Sequence, residues 1–180
     1  MVVLGEQDMS QFEAHDIEFM KLALAAAKKA AGRWEVPVGA VVVAAGEVIG
    51  TGYNCREERQ SPLGHAEIMA VEEASKRLGT WRLDQCDIYV TLEPCLMCMG
   101  AILQARIRKL VFGCLDPKAG AVESLYRLCE DRRLNHQLPA IGGVLADESA
   151  ALLADFFARL RSHKRDTRKA ERWPSPVEGA

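Results

Sequence analysis

No stretch of this 180-residue chain stays apolar for long: the longest strongly apolar run, Val36 to Ala45, has ten residues and contains Pro37 and Gly39, whereas a bilayer span needs about 20. Charge of one sign is lacking too. The 23 Lys and Arg against 25 Asp and Glu leave a net of −2, which argues against indiscriminate nucleic-acid binding. The first residues, with Glu6, Asp8, Glu13, Asp16 and Glu18, lack the basic-then-apolar order of a secretory signal. A cytoplasmic protein with no membrane partner is expected. No internal repeat or low-complexity linker divides the chain, and its length suits one domain.

What is present is a globular composition, 49% hydrophobic and 27% charged, sufficient for a real core. The charge is unevenly spread. From Arg159 to Arg172 seven basic residues outnumber two acidic ones, a net of +5 that leaves −7 elsewhere. We therefore expect one domain over 1–163 and a basic, flexible tail over 164–180, where Pro174 and Pro176 stand.

Helical spacing of Ile17, Met20, Leu24 and Ala27 predicts a first helix over about 14–31. Val38 to Val43 and Glu47 to Tyr53 read as a hairpin, and Asn54 to Gly64 as a loop. A helix follows from His65 to Leu78, stopped by Gly79, then a strand over Cys86 to Leu92. Pro94 opens a helix through Gln104, and Lys109 to Cys114 is a short strand. A weaker helix is expected near Glu123 to Cys129, then a last strand at Ile141 to Leu145. Asp147 is expected to cap a final helix to about Leu160. Strands alternating with helices imply an α/β fold in three layers, α/β/α, around a five-stranded mixed sheet.

Six cysteines in a chain large enough to fold on its core suggest metal binding before disulfides. Cys95 and Cys98 stand three apart behind Pro94, so in a first helical turn both sulfurs face one way, and the helix N-terminus favours their thiolates. With His65 they make three ligands for Zn²⁺, leaving a fourth position for water, as catalytic zinc sites do. That water is the nucleophile. Glu67, two residues after His65, would project about 200° away on a helix, which suits a proton shuttle better than a ligand. His-x-Glu with Pro-Cys-x-x-Cys is the combination used by zinc-dependent nucleobase deaminases. A redox pair or half of a structural zinc site is the plainer reading of Cys95 and Cys98, and the His-x-Glu elsewhere in the chain, considered with them, weighs against both. Cys55, Cys86, Cys114 and Cys129 show no paired spacing and read as buried thiols. His15, His136 and His163 read as surface or hydrogen-bonded residues.

The segments Glu35-Val-Pro-Val-Gly-Ala40, Asn54, His65-Ala-Glu-Ile-Met-Ala70, Tyr89-Val-Thr-Leu-Glu-Pro-Cys95, Met97-Cys98, Val111-Phe-Gly113, Asn135-His136 and Asp155-Phe-Phe157, in this order, resemble the bacterial tRNA-specific adenosine deaminases of the cytidine deaminase superfamily. The resemblance implies a cytidine deaminase-like fold holding one Zn²⁺ per subunit on His65, Cys95 and Cys98, with Glu67 as shuttle. It implies that Asn54 hydrogen-bonds the flipped base, that the Val36 to Ala40 segment, Val38 included, walls it, and that Asp116 lies near the nucleotide 5′ of the target. It further implies a homodimer acting on a tRNA anticodon stem-loop to convert wobble adenosine to inosine. A free nucleobase or nucleotide deaminase, of guanine or cytosine type, is the alternative with the same metal motif. Ser149 departs from the family pattern, where a cysteine is common.

Overall fold

The computed structural model describes residues 11–172. The Ala-rich first segment forms α1 (Ala14–Gly32), in which Met20, Ala23, Leu24 and Ala27 recur three or four residues apart and are all buried. Then come β1 (Gly39–Ala44) and β2 (Glu47–Tyr53), joined by Ala45 and Gly46 at φ of 50° and 82°, the left-handed pair that a two-residue hairpin turn requires. The remaining elements are α2 (Arg56–Arg59), α3 (Ala66–Leu78), β3 (Cys86–Leu92), α4 (Leu96–Gln104), β4 (Lys109–Cys114), β5 (Ala140–Ile141) and α5 (Ala146–Arg172).

The strands form one mixed sheet in the order β2-β1-β3-β4-β5, antiparallel between β2, β1 and β3, and parallel from β3 to β5. Alternation along each strand supplies two apolar faces. Val41, Val43, Tyr89 and Val111 pack with α1 and Leu152 of α5 on one side. On the other, Val42, Ile88, Val90 and Phe112 meet Ala66, Ala70 and Ala74 of α3 and Met99 and Ile102 of α4. This is the expected three-layer arrangement. Sheet and α1 are also cross-tied by Asp16, which is 1% exposed and accepts hydrogen bonds from the Tyr89 hydroxyl at 2.8 Å and the Lys109 ammonium at 2.9 Å.

Five sequence expectations are corrected. Glu123 to Cys129 is a series of turns and not a helix, because the Val122, Glu123 and Ser124 N–H groups all donate to the distant Glu93 carboxylate. The last strand is only Ala140–Ile141: Gly142 lies over the Phe112 ring and Gly143 turns the chain at φ 93°. Asp147 lies inside the first turn of α5, one residue past its start at Ala146. The loop after Asn54 contains the short helix α2. The helix α5 also runs past Leu160 to Arg172, since no Pro or Gly interrupts residues 161–172, so the 163/164 division falls within one continuous helical backbone. Pro174 and Pro176 lie outside the described residues.

Helix α3 sits unusually close to β2. A Cβ on Gly50 or Gly52 would run into the α3 backbone, at Ala70 and Ala74 or at Ala66 and Ala70, so only glycine admits this approach. The seating also covers the outer edge of β2, where Glu73 accepts from the Thr51 N–H at 2.7 Å and Arg77 donates to the Val48 carbonyl at 2.9 Å. Because a helix backbone cannot swing aside as a side chain can, Gly52→Ala is expected to cost about 3 kcal/mol, or roughly 10 °C in Tm, in thermal unfolding. An unchanged Tm would refute the close seating.

Candidate active site

Parallel strands β3 and β4 end side by side, with Leu92 paired to Cys114, and the crevice beyond such carboxyl ends is where α/β sheets bind ligands. The chain leaves β3 through Glu93 and Pro94 and enters α4 with Cys95 as its N-cap residue, at φ −76° and ψ 173°. Helix α3 begins at the same crevice, with His65 as its N-cap residue at φ −87° and ψ 146°. Two helix N-termini, each with unpaired N–H groups and partial positive charge, thus face one spot.

There His65 Nδ1 lies 3.7 Å from Cys95 Sγ and 3.4 Å from Cys98 Sγ, and the three donor atoms all fall within 4.8 Å of one another. Around one tetrahedral zinc at its usual bond lengths, nitrogen and sulfur donors lie about 3.6 Å apart. The donor set and its spacing fit zinc. The Cys98 thiol, with help from His65 and against burial, pulls Cys95 down to about 3, while the contact with Cys95 and burial push Cys98 up. His65 is raised by its Cys95 neighbour.

The adjoining cavity of about 160 Å³ is lined by Val36, Val38, Asn54, His65, Glu67 and Asp116, among others. A cavity of about 150 Å³ takes a flat six-membered ring. Glu67 is 4% exposed, and burial raises its carboxyl above the ordinary range. Because His65 is extended at the cap and not helical, the helical rotation expected between it and Glu67 does not apply; both side chains reach the same cavity. All the residues singled out in the sequence meet here, Cys98 standing behind the lining and completing the metal triangle.

Three further residues belong to the site. Arg56 stands at the lining. Glu35, 1% exposed, accepts from Asn54 Nδ2 at 3.1 Å and from the Glu58 N–H at 2.6 Å. Glu93, 2% exposed, accepts from the N–H groups of Asp116, Val122, Glu123 and Ser124 and from the Ser124 hydroxyl. The signal for both acids was a lone carboxylate set against apolar residues and proline, Glu35 before Val36-Pro37 and Glu93 between Leu92 and Pro94. Ser149 lies outside this lining, its buried hydroxyl against Gly113 and without a partner among the described residues. His136 bonds the Ile107 carbonyl at 2.8 Å, and in the cluster of Glu13, His15 and Asp16 it is Asp16 that ties α1 to the sheet.

Residues 13–114, which contain the whole triangle, match the family model of the cytidine and deoxycytidylate deaminase zinc-binding region. A tRNA-specific adenosine deaminase of Bacillus subtilis (strain 168) is 47% identical over 151 residues, covering 84% of this chain and 94% of that one. The chain belongs to the tRNA-specific adenosine deaminase family. A member from Aquifex aeolicus (strain VF5) is 43% identical over 145 residues, 81% of this chain and 95% of its own. Among solved structures, one from studies of A-to-I editing by tRNA:A34 deaminases superposes with a TM-score of 0.73 at 46% identity, over 76% of this chain and 99% of that chain. Guanine deaminase from Nitrosomonas europaea shares the fold at 25% identity and a TM-score of 0.66, over 79% of this chain and 84% of its own. The family's cofactor chemistry is zinc-based, in agreement with the donor set.

Proposed function

We propose that this enzyme hydrolytically deaminates the wobble adenosine of a tRNA anticodon loop, giving inosine and ammonia. The observation that carries the reading is the convergence of the His65, Cys95 and Cys98 triangle, buried Glu67 and Asn54 on one ring-sized cavity in a chain of this family.

His65, Cys95 and Cys98 hold the zinc. Zinc supplies, when bound, a water acidic enough to ionise near neutral pH. Glu67, kept close to the cavity and raised by burial, moves the protons. Its carboxylate takes a proton from the water that attacks C6 and delivers it to ring N1. It then takes the proton of the new hydroxyl and delivers it to the amino group, which leaves as ammonia. Water enters, ammonia departs, and N1 keeps one proton, as inosine requires. Asn54 hydrogen-bonds the base, which must leave its stack to enter the cavity. Val38 supplies an apolar wall, and Asp116, whose Oδ1 accepts from the Lys118 and Ala119 N–H groups, borders the path of the 5′ nucleotide. The net +5 between Arg159 and Arg172 supports attraction to the phosphates of the stem. The reading carries with it a cytoplasmic location and a homodimer, the latter checked by light scattering.

Incubating the zinc-loaded protein with an anticodon stem-loop and, separately, with free nucleobases tests the activity. Inosine in the digested RNA is expected; ammonia from guanine with no inosine in the RNA would replace the reading by its nucleobase alternative. Removing the metal with a chelator is expected to abolish turnover and lower Tm together, and added zinc to restore both. A Tm indifferent to chelation would refute metal binding by these donors.

A further inference from the structure

Glu35 has no part in the chemistry above, yet it is buried to 1% exposure beside the cavity. Its Oε2 accepts from Asn54 Nδ2 at 3.1 Å and its Oε1 from the Glu58 N–H at 2.6 Å. An ionised carboxylate only accepts hydrogen bonds, whereas an asparagine amide carries a donor end and an acceptor end of nearly the same shape. Next to Glu35, the Asn54 amide has one tolerable orientation. Rotated by half a turn, its oxygen would face the carboxylate oxygen, two acceptors with no proton between them in a buried place. The Asn54 backbone is fixed as well, its N–H donating to the Val38 carbonyl at 2.9 Å. Of the Asn54 side chain, only the second N–H and the Oδ1 remain for a ligand.

The other Glu35 oxygen reaches α2, whose Glu58 is ion-paired to Arg33 at 2.7 Å and whose Arg56 lines the same cavity. One carboxylate therefore links the cavity's amide to the segment at its mouth. We propose that Glu35 is a positioning residue that locks the Asn54 amide in one orientation and so sets which pattern of donor and acceptor the base must present. The proposal rests on the reading that Asn54 meets the target base.

Glu35→Gln keeps the shape and can still accept from the Glu58 N–H, but its NH₂ end then faces Asn54 and favours the reversed amide, a donor against the Asn54 oxygen. We expect kcat/KM on the stem-loop to fall by about 10- to 100-fold with Tm nearly unchanged, and Glu35→Asp, which keeps the charge, to recover part of the loss. In the double-mutant cycle with Asn54→Ala, the double variant is expected to be no slower than Asn54→Ala alone. Full additivity would overturn the proposal, because a merely structural Glu35 acts independently of Asn54. Side-chain amide NMR of Asn54 gives a reading independent of turnover: a single orientation in the wild type that is lost in Glu35→Gln supports the lock, and two exchanging orientations in the wild type overturn it. If the wild type makes no inosine, the functional reading falls, and the NMR result alone decides whether Glu35 sets the amide. Should Glu35→Gln unfold, the same cycle and spectrum are read on Glu35→Asp, where additivity with Asn54→Ala again overturns the proposal.

Discussion

Glu67→Gln is expected to slow deamination of the stem-loop by about 10³- to 10⁴-fold, with zinc content and Tm preserved. The amide fills the same volume but carries no titratable proton, and the other two acids at the lining, Glu93 and Asp116, already accept hydrogen bonds from backbone N–H groups. Glu93 is engaged by four backbone N–H groups and a hydroxyl, and Asp116 accepts from the Lys118 and Ala119 N–H groups at 3.0 and 3.3 Å. Fold is spared because Glu67 is 4% exposed and its charge is already disfavoured by burial, so neutralising it removes a desolvation penalty. Single-turnover rates and metal analysis of the purified variant provide the check. A rate near that of the wild type refutes the shuttle role, and loss of zinc would make Glu67 a ligand.

The largest expected effect on stability comes from Glu93→Gln. Oε1 of Glu93 accepts from Val122, Glu123 and Ser124 at 3.0, 2.7 and 2.9 Å. Oε2 accepts from Asp116 at 2.9 Å and from the Ser124 hydroxyl. Whichever oxygen becomes NH₂, a donor then faces donors, and the loss is about 3–5 kcal/mol, or roughly 10 °C in Tm. Asp116 and Ala119 line the cavity and hang on the same cluster, so KM is expected to rise as well. Burial pushes the Glu93 carboxyl up, but the Glu123 and Ser124 donors and the Asp116 N–H outweigh it and hold the group at about 2. A folded-state value below the ordinary 4.5 means a stabilisation of about 3 kcal/mol that is fully present above pH 4.5 and lost as pH falls toward 2. The Tm gap between wild type and Glu93→Gln should therefore narrow in acid. A gap that stays constant down to pH 2 would refute this account.

The two halves of the donor triangle were legible because each is a local pattern, although His65 and Cys95 stand 30 positions apart. Cys95 and Cys98 share one helical turn, and His65 stands at the start of a helix whose apolar spacing is plain. The strands were legible for the same reason, β-branched runs bounded by glycine and polar turns. Glu123 to Cys129 misled because its apolar spacing suits a helix, while its amides are claimed by an acid about 30 positions earlier. Glu35 stands just before Val36-Pro37 in the sequence, yet its task is not legible there, since that depends on Asn54 and Glu58, 19 and 23 positions away. The end of α5 is not legible because its apolar face stops near Leu160, although the backbone continues on helix-forming polar residues.

The two edges of the sheet bear on how copies of this chain can meet. An open edge invites another chain to add a strand, the route to swapped and fibrous assemblies. At β5 the edge is two residues long, and the backbone then turns away at Gly142 and Gly143. At β2 the Thr51 N–H and the Val48 carbonyl are already taken by Glu73 and Arg77 of α3. The same helix that brings His65 and Glu67 to the cavity thus blunts a seam for aggregation, since an added strand would find these two backbone groups of β2 already engaged.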